Sequence, residues 1–145
     1  MMSWIYVETG KDIETLMDTF GYFHDSCLKE FYYWSDNYVD DKLSMYMGWS
    51  TCVRMLFQRQ KNAPSVLEME FHKVKNIHIT PAMQDYSSEI FCATMKMQEG
   101  VTYWADMENW DKSADLDCTW ISAEKVRWRI KDDGFLGEDK VYFKE

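Results

Sequence analysis

Glycine is sparse in this chain, six in 145 residues, and none of the glycines builds a recognisable phosphate loop. There is no Walker loop and no G-x-G-x-x-G, so a nucleotide site has no support. No G-x-S-x-G elbow is present either. The four cysteines, Cys27, Cys52, Cys92 and Cys118, form no C-x-x-C pair and stand in no Cys/His zinc spacing. No apolar run approaches the length that spans a bilayer. Residues 1–8 lack the basic region and apolar stretch of a signal peptide. Lys and Arg are scattered; Arg127-Trp128-Arg129 is the nearest approach to a basic cluster. Without a basic stripe to neutralise phosphates, direct nucleic-acid binding is not expected. These absences point to a cytoplasmic protein with reduced, mostly buried cysteines, no membrane association and no cofactor.

What the chain does have is acid and aromatic rings. Its net charge is −9, and it carries seven Trp, nine Tyr and eight Phe. An acidic surface keeps a protein soluble and attracts basic partners. The aromatics favour strands and exceed what one sheet face and one helix need, which leaves some for an exposed patch.

Thr9 or Asp12 caps a helix reaching about Thr19, with Ile13, Leu16, Met17 and Phe20 on one stripe and Gly21 as its stop. A strand follows from Ser26 to Trp34, apolar on both faces, then a turn at Ser35-Asp36-Asn37. Residues 38–50 read as irregular. Thr51 to Gln58 is a strand with Val53, Met55 and Phe57 facing one way. Val66 to His72 alternates, with Leu67, Met69 and Phe71 inward and Glu68, Glu70 and His72 outward. Asn76 to Thr80 continues it past a bulge. Glu99-Gly100 reads as a tight hairpin between Ile90–Gln98 and Val101–Asp106. Residues 109–117 form an acidic loop. Cys118 to Ile130 is a long strand with Trp120, Ser122, Glu124, Val126 and Trp128 on one face. Gly134 and Gly137 make a turn before a last strand at Val141 to Phe143. Short, non-helical connections exclude a parallel sheet. The expectation is one α+β domain over 1–145: a single, mainly antiparallel sheet of six to eight strands with the N-terminal helix on one face.

Two stretches hold chemistry-bearing residues. His24-Asp25-Ser26-Cys27 contains the residue types of a nucleophilic site. Neighbours in a strand point to opposite faces, so adjacency argues against a ready dyad. The expected role is structural: Asp25 accepting local backbone bonds and His24 bonding a neighbouring strand. His24, His72 and His78 are too dispersed to share an ion, and no metal is expected. The second stretch is the run Asp106, Glu108, Asp111, Asp115 and Asp117 beside Trp104 and Trp110. It lacks an EF-hand framework. Trp104, Asp106, Glu108, Trp110 and Asp111 instead make a candidate acidic, aromatic binding surface.

The motifs Phe23-His24-Asp25-Ser26-Cys27 with Lys29-Glu30, Leu56-Phe57-Gln58-Arg59-Gln60, Tyr103-Trp104-Ala105-Asp106 and Arg127-Trp128-Arg129 resemble those of a family of small uncharacterised bacterial proteins. That resemblance spans most of the chain and implies no activity. More distantly, the His-Asp step opening a strand is similar to one in immunity proteins of bacterial toxin systems, which implies a binding role. The first functional expectation is therefore a non-catalytic domain binding a basic protein, such as a secreted nuclease toxin. The alternatives are a small hydrolase or transferase using His24, Asp25 and Ser26 or Cys27, and a homodimer formed through edge strands or exposed aromatics.

Overall fold

In the computed structural model, which describes residues 3–85, 87–113, 117–131 and 137–138, the helix α1 runs Gly10–Thr19. Thr9 caps it: its hydroxyl accepts from the Asp12 N–H while the Asp12 carboxylate accepts from the Thr9 N–H. This reciprocal pair satisfies donors the first turn leaves open. Ile13, Leu16 and Met17 are buried on one stripe, and Phe20 follows. Gly21 ends the helix with φ 58, as its lack of a side chain allows.

The strands are β1 Ile5–Val7, β2 Ser26–Ser35, β3 Tyr38–Val39, β4 Met45–Tyr46, β5 Thr51–Arg59, β6 Val66–His78, β7 Thr94–Gln98, β8 Val101–Ala105 and β9 Trp120–Ile130. One antiparallel sheet has the order β2-β5-β6-β9-β8-β7, with β1 added on β9; β3 and β4 pair only with each other. The α+β class, the single main antiparallel sheet and the helix packed against it are as the sequence led us to expect. Glu99 (φ 52) and Gly100 (φ 79) make the hairpin turn between β7 and β8, both left-handed as the twist of a two-residue hairpin requires. The strand proposed at Val141 to Phe143 and Gly134 of the preceding turn lie outside the described residues.

The sheet curls until its ends approach. Ser26, at the start of β2, exchanges both backbone hydrogen bonds with Ile90, just ahead of β7 (3.4 and 2.8 Å). The concave side holds the core, where Phe23, Phe57 and Trp104 meet edge-on or tilted with ring centres 5.0–5.4 Å apart. Val53, Met55, Phe57, Leu67, Met69 and Phe71 point into it, as their alternation indicates.

Simple alternation fails at three places. In β2 a register shift between Leu28 and Glu30 lets both Leu28 and Phe31 pack on the core. In β6 Lys73 is left-handed (φ 55), and Val74 joins the core side after Phe71. Along β9 the core side chains are Ile121 and Ala123, then Val126 and Trp128, so the expected single face from Trp120 to Trp128 is split. A bulge advances one strand by one residue and exchanges its faces.

Glu68 and Glu70 are also not the solvated outward residues that alternation suggests. They lie on the face away from the main core, yet each is 1% exposed. Glu70 accepts from Arg54 Nε and Nη2 (2.9 and 2.7 Å) and from Arg127 Nε (2.9 Å). Glu68 is paired with Arg129 and Lys131 at 3.3 and 3.2 Å. Trp4 covers both guanidinium groups, its ring 4.3 Å from Arg127 and 4.2 Å from Arg129. Burial tends to raise the Glu70 carboxyl, but the donors from Arg54, Arg127 and His72 outweigh it and hold the group below the usual carboxylate range.

Candidate functional site

The tetrad after α1 is positioned by a run of left-handed residues, Gly21, Tyr22 and Phe23 (φ 58, 56 and 62), with Asp25 at φ 55. Such backbone is costly for bulky residues and persists where packing over-determines it. Here the Phe23 ring supplies that packing, wedged among Phe20, Phe57 and Trp104. His24 then turns outward. Its Nδ1 lies 2.7 Å from the Phe91 carbonyl, to which it can only donate, and its Nε2 lies 3.3 Å from the Asp25 carboxylate. The Asp25 carbonyl accepts from the Gln60 N–H.

Ser26 is 2% exposed and its hydroxyl has no hydrogen-bond partner among the described residues. Cys27 is exposed, and partial burial of its sulfur raises the thiol above its ordinary range. No hydrogen bond among the described residues joins His24 to Ser26 or Cys27. Asp25, Ser26 and Cys27, without His24, line a shallow recess of 310 Å3 shared with Gln58, Arg59, Gln60 and Glu89. A base bonded to a carbonyl and a carboxylate, a buried hydroxyl and a protonated thiol do not make a nucleophile and its activator.

The acidic, aromatic stretch divides in two. Trp104 points to the concave side and is fully buried, so it offers no ring to the surface. Trp110 is buried on the opposite side, 4.9 Å from Trp120 and 6.0 Å from Tyr103. The loop after β8 is pinned there because the Thr94 hydroxyl accepts from the Trp110 N–H and donates to the Met107 carbonyl. Lys96 donates to Asp111 at 2.8 Å, and with Ser113 it holds that carboxyl well below the usual range. Glu108 is exposed, whereas burial pushes the Asp106 carboxyl up to about 7. The continuous binding surface expected from Trp104, Asp106, Glu108, Trp110 and Asp111 is therefore not formed. Asp115, in the same run, lies outside the described residues.

The histidines separate too. His72 bonds Glu70 and Cys52, and His78 Nδ1 donates to the Cys118 carbonyl at 2.8 Å. Among the described residues no group of three or more His, Cys, Asp or Glu could hold a metal ion. Cys52, His72 and Glu70 nevertheless form a chain that sequence reading missed. Cys52 Sγ lies 3.4 Å from His72 Nδ1, and His72 Nε2–H donates to Glu70 Oε1 at 2.7 Å. That is the connectivity of nucleophile, base and orienting acid. Burial raises the Cys52 thiol, leaving little thiolate, and Glu70 is already neutralised by two arginines. The chain acts as a cross-strand relay that fixes the His72 ring.

The apolar surface lies elsewhere, on residues 36–49, which take in the end of the expected turn at Ser35-Asp36-Asn37 and most of the stretch 38–50 that reads as irregular. It is an ordered arm continuing the β2–β5 ribbon. Tyr38 stacks on Tyr46 with ring centres 4.9 Å apart and planes within 10°. At its tip the Asp40 carboxylate accepts from the Lys42 and Ser44 N–H groups, both at 2.9 Å. At its base the Asp36 N–H donates to the Ser50 carbonyl, and the Gly48 N–H donates to the Asn37 side chain. A Cβ on Gly48 would lie 2.2 Å from Asp36 Cβ, so only glycine fits there. On this braced frame Trp49 is 98% and Leu43 85% exposed, and Tyr38, Val39, Met45, Tyr46 and Met47 are exposed beside them. Three aspartates and one lysine make the arm acidic. The signal was present as Met45, Tyr46, Met47 and Trp49, but nothing local says that no described segment covers them.

Among the described residues no helix is long and apolar enough to cross a membrane. Compared with family models, with curated proteins and with solved structures, the chain matches none.

Proposed function

We propose that this protein is a non-catalytic binding domain that docks a basic protein partner through the acidic, aromatic arm of residues 36–49. The observation that carries the reading is the exposure of Trp49 and Leu43 on a hydrogen-bonded hairpin. Large rings left in water on ordered backbone are a liability unless a partner covers them. Tyr and Trp on a rigid frame also bind with little loss of conformational freedom. The aspartates of the arm and a net charge of −9 favour a cationic partner, such as a nuclease toxin, over a second copy of this chain.

The test compares the immobilised wild-type protein with a Leu43→Ser/Trp49→Ser double variant in extracts of the native host. Burying those two side chains is worth about 2–3 kcal/mol each, so their loss is expected to weaken binding at least about 100-fold. A basic protein should be retained at low salt, released as salt screens the arm and lost with the double variant. The variant's melting temperature should stay within about 2 °C of wild type, because neither side chain packs on the core. Equal retention by wild type and variant refutes the arm as the docking element. A complex of two identical chains in sedimentation would reassign the arm to self-association.

A further inference from the structure

β2 is the outermost strand of the sheet, and no described strand pairs with its far edge. The bonds at the two ends of β2 decide which backbone groups point there. At the arm end the Asp36 N–H donates to the Ser50 carbonyl, in the register that pairs Ser35 with Thr51. Antiparallel ladders alternate, so Tyr32 and Trp34 also turn their N–H and C=O groups toward β5, while Phe31, Tyr33 and Ser35 turn theirs outward. At the other end Ser26 shows what this edge accepts, exchanging both backbone bonds with Ile90. Opposite Leu28 to Phe31 the neighbouring residues 79–82 and Ser88 stand off across a recess of 250 Å3. Among the described residues nothing bonds the outward groups of Phe31, Tyr33 and Ser35. An unpaired edge is a template for pairing, which proline or charge usually blunts. Between Phe31 and Ser35 the chain has neither, and its register with β5 is regular.

We propose that an extended segment of the basic partner adds to this edge as a further strand, bonding Phe31, Tyr33 and Ser35 and laying Lys or Arg side chains against Tyr32, Tyr33 and Asp36. The inference rests on the arm reading for the partner's charge and adds how that partner is held. The edge runs directly into the arm at Asp36, so one ligand can engage both. Residues 31–41 contain Asp36, Asp40 and Asp41 and no lysine or arginine. Tyr32 and Tyr33, 52% and 55% exposed, point to opposite faces, so each face of the added strand meets a ring that attracts cations. A second copy of β2 would set one acidic edge against another, which like charge opposes.

The test uses a peptide of about nine residues alternating lysine and valine, long enough for one strand. Amide exchange measured by NMR should slow about five-fold at Phe31, Tyr33 and Ser35 at roughly four times the peptide's Kd. Tyr32 and Trp34, already bonded to β5, should change less than about two-fold. A copy N-methylated at every residue keeps the charge and donates no backbone bond, and a glutamate–valine peptide reverses the charge; neither should slow exchange. Tyr33→Pro removes an outward N–H and leaves the ladder with β5 intact, so it should weaken binding at least about ten-fold. The proposal is overturned by exchange at Phe31, Tyr33 and Ser35 that stays unchanged, that is already slow in the protein alone, or that slows equally with the methylated or acidic peptide. Slowing that depends on protein concentration without peptide overturns it in favour of a second copy. The peptide comparisons on the wild-type protein decide the matter even if Tyr33→Pro folds poorly. They involve neither Leu43 nor Trp49, so strand addition can fail while the arm reading stands, and the reverse.

Discussion

Asp106 gives the sharpest stability prediction, because Asp106→Asn removes its charge and keeps its shape. A carboxyl moved by burial from 3.8 to about 7 holds a proton in the folded state that the unfolded chain has already released. Between those values the folded state binds more protons than the unfolded one, so stability falls as pH rises. The loss begins near pH 4 and is complete just above pH 7. Its ceiling is about 4 kcal/mol, from about 1.4 kcal/mol per pH unit of displacement. Asp106 keeps partial solvent contact, which reduces the expected loss to about 1–2 kcal/mol. Asparagine carries no charge at any of these pH values. Asp106→Asn should therefore match wild type near pH 3.5 and exceed it by about 1–2 kcal/mol near pH 8. Urea denaturation of both proteins along a pH series, followed by far-ultraviolet circular dichroism, measures the difference directly. Equal m-values would show that the unfolded states are comparable. A stability difference that does not vary with pH, or one that favours wild type near pH 8, would refute the assignment of a desolvated Asp106.

Two other predictions test the frame around the sites. Glu70→Gln should destabilise the protein by about 2–4 kcal/mol at neutral pH in urea titration, because two guanidinium groups lose the charge that compensates them. The depressed carboxyl of wild-type Glu70 gives stability that is present above about pH 4.5 and lost as pH falls through the folded-state value, so the variant should show a shallower acid transition. Gly48→Ala should loosen the arm and leave the core intact, because its methyl group meets Asp36. Amide exchange should accelerate over residues 36–49 while the global melting temperature changes by less than about 3 °C. Unchanged exchange in the arm would contradict the close contact.

The elements that were legible in the sequence are those whose cause is local. The Thr9 cap reaches only three residues, to Asp12, and the Glu99-Gly100 turn is set by its own two dihedral angles. The stripe on α1 and the alternation within β5 report a period that neighbouring residues share. Even the bulge expected between residues 73 and 76 was marked by the break in the pattern after His72. For the tetrad the sequence suggested that His24 bonds a neighbouring strand and Asp25 accepts local backbone bonds; in the structure His24 bonds the carbonyl of Phe91, outside any strand, and the Asp25 carboxylate faces His24.

The sequence by itself determined that one antiparallel sheet carries a single helix and where the long strands β5, β6 and β9 run, but not that residues 38–46 pair as β3 and β4. Only the tertiary structure decided what those strands conceal. Glu68 and Glu70 are buried because arginines from other strands and the Trp4 ring lie over them. Trp104 is buried because the curl brings Phe23 and Phe57 against it, and Trp49 is exposed because no described segment returns over the arm. The pocket lined by Leu28 to Phe31 of β2 and by Trp104 and Asp106 at the end of β8 likewise depends on the curl. Periodicity is a property of neighbours along the chain, whereas burial is set by whichever distant segment arrives to exclude water.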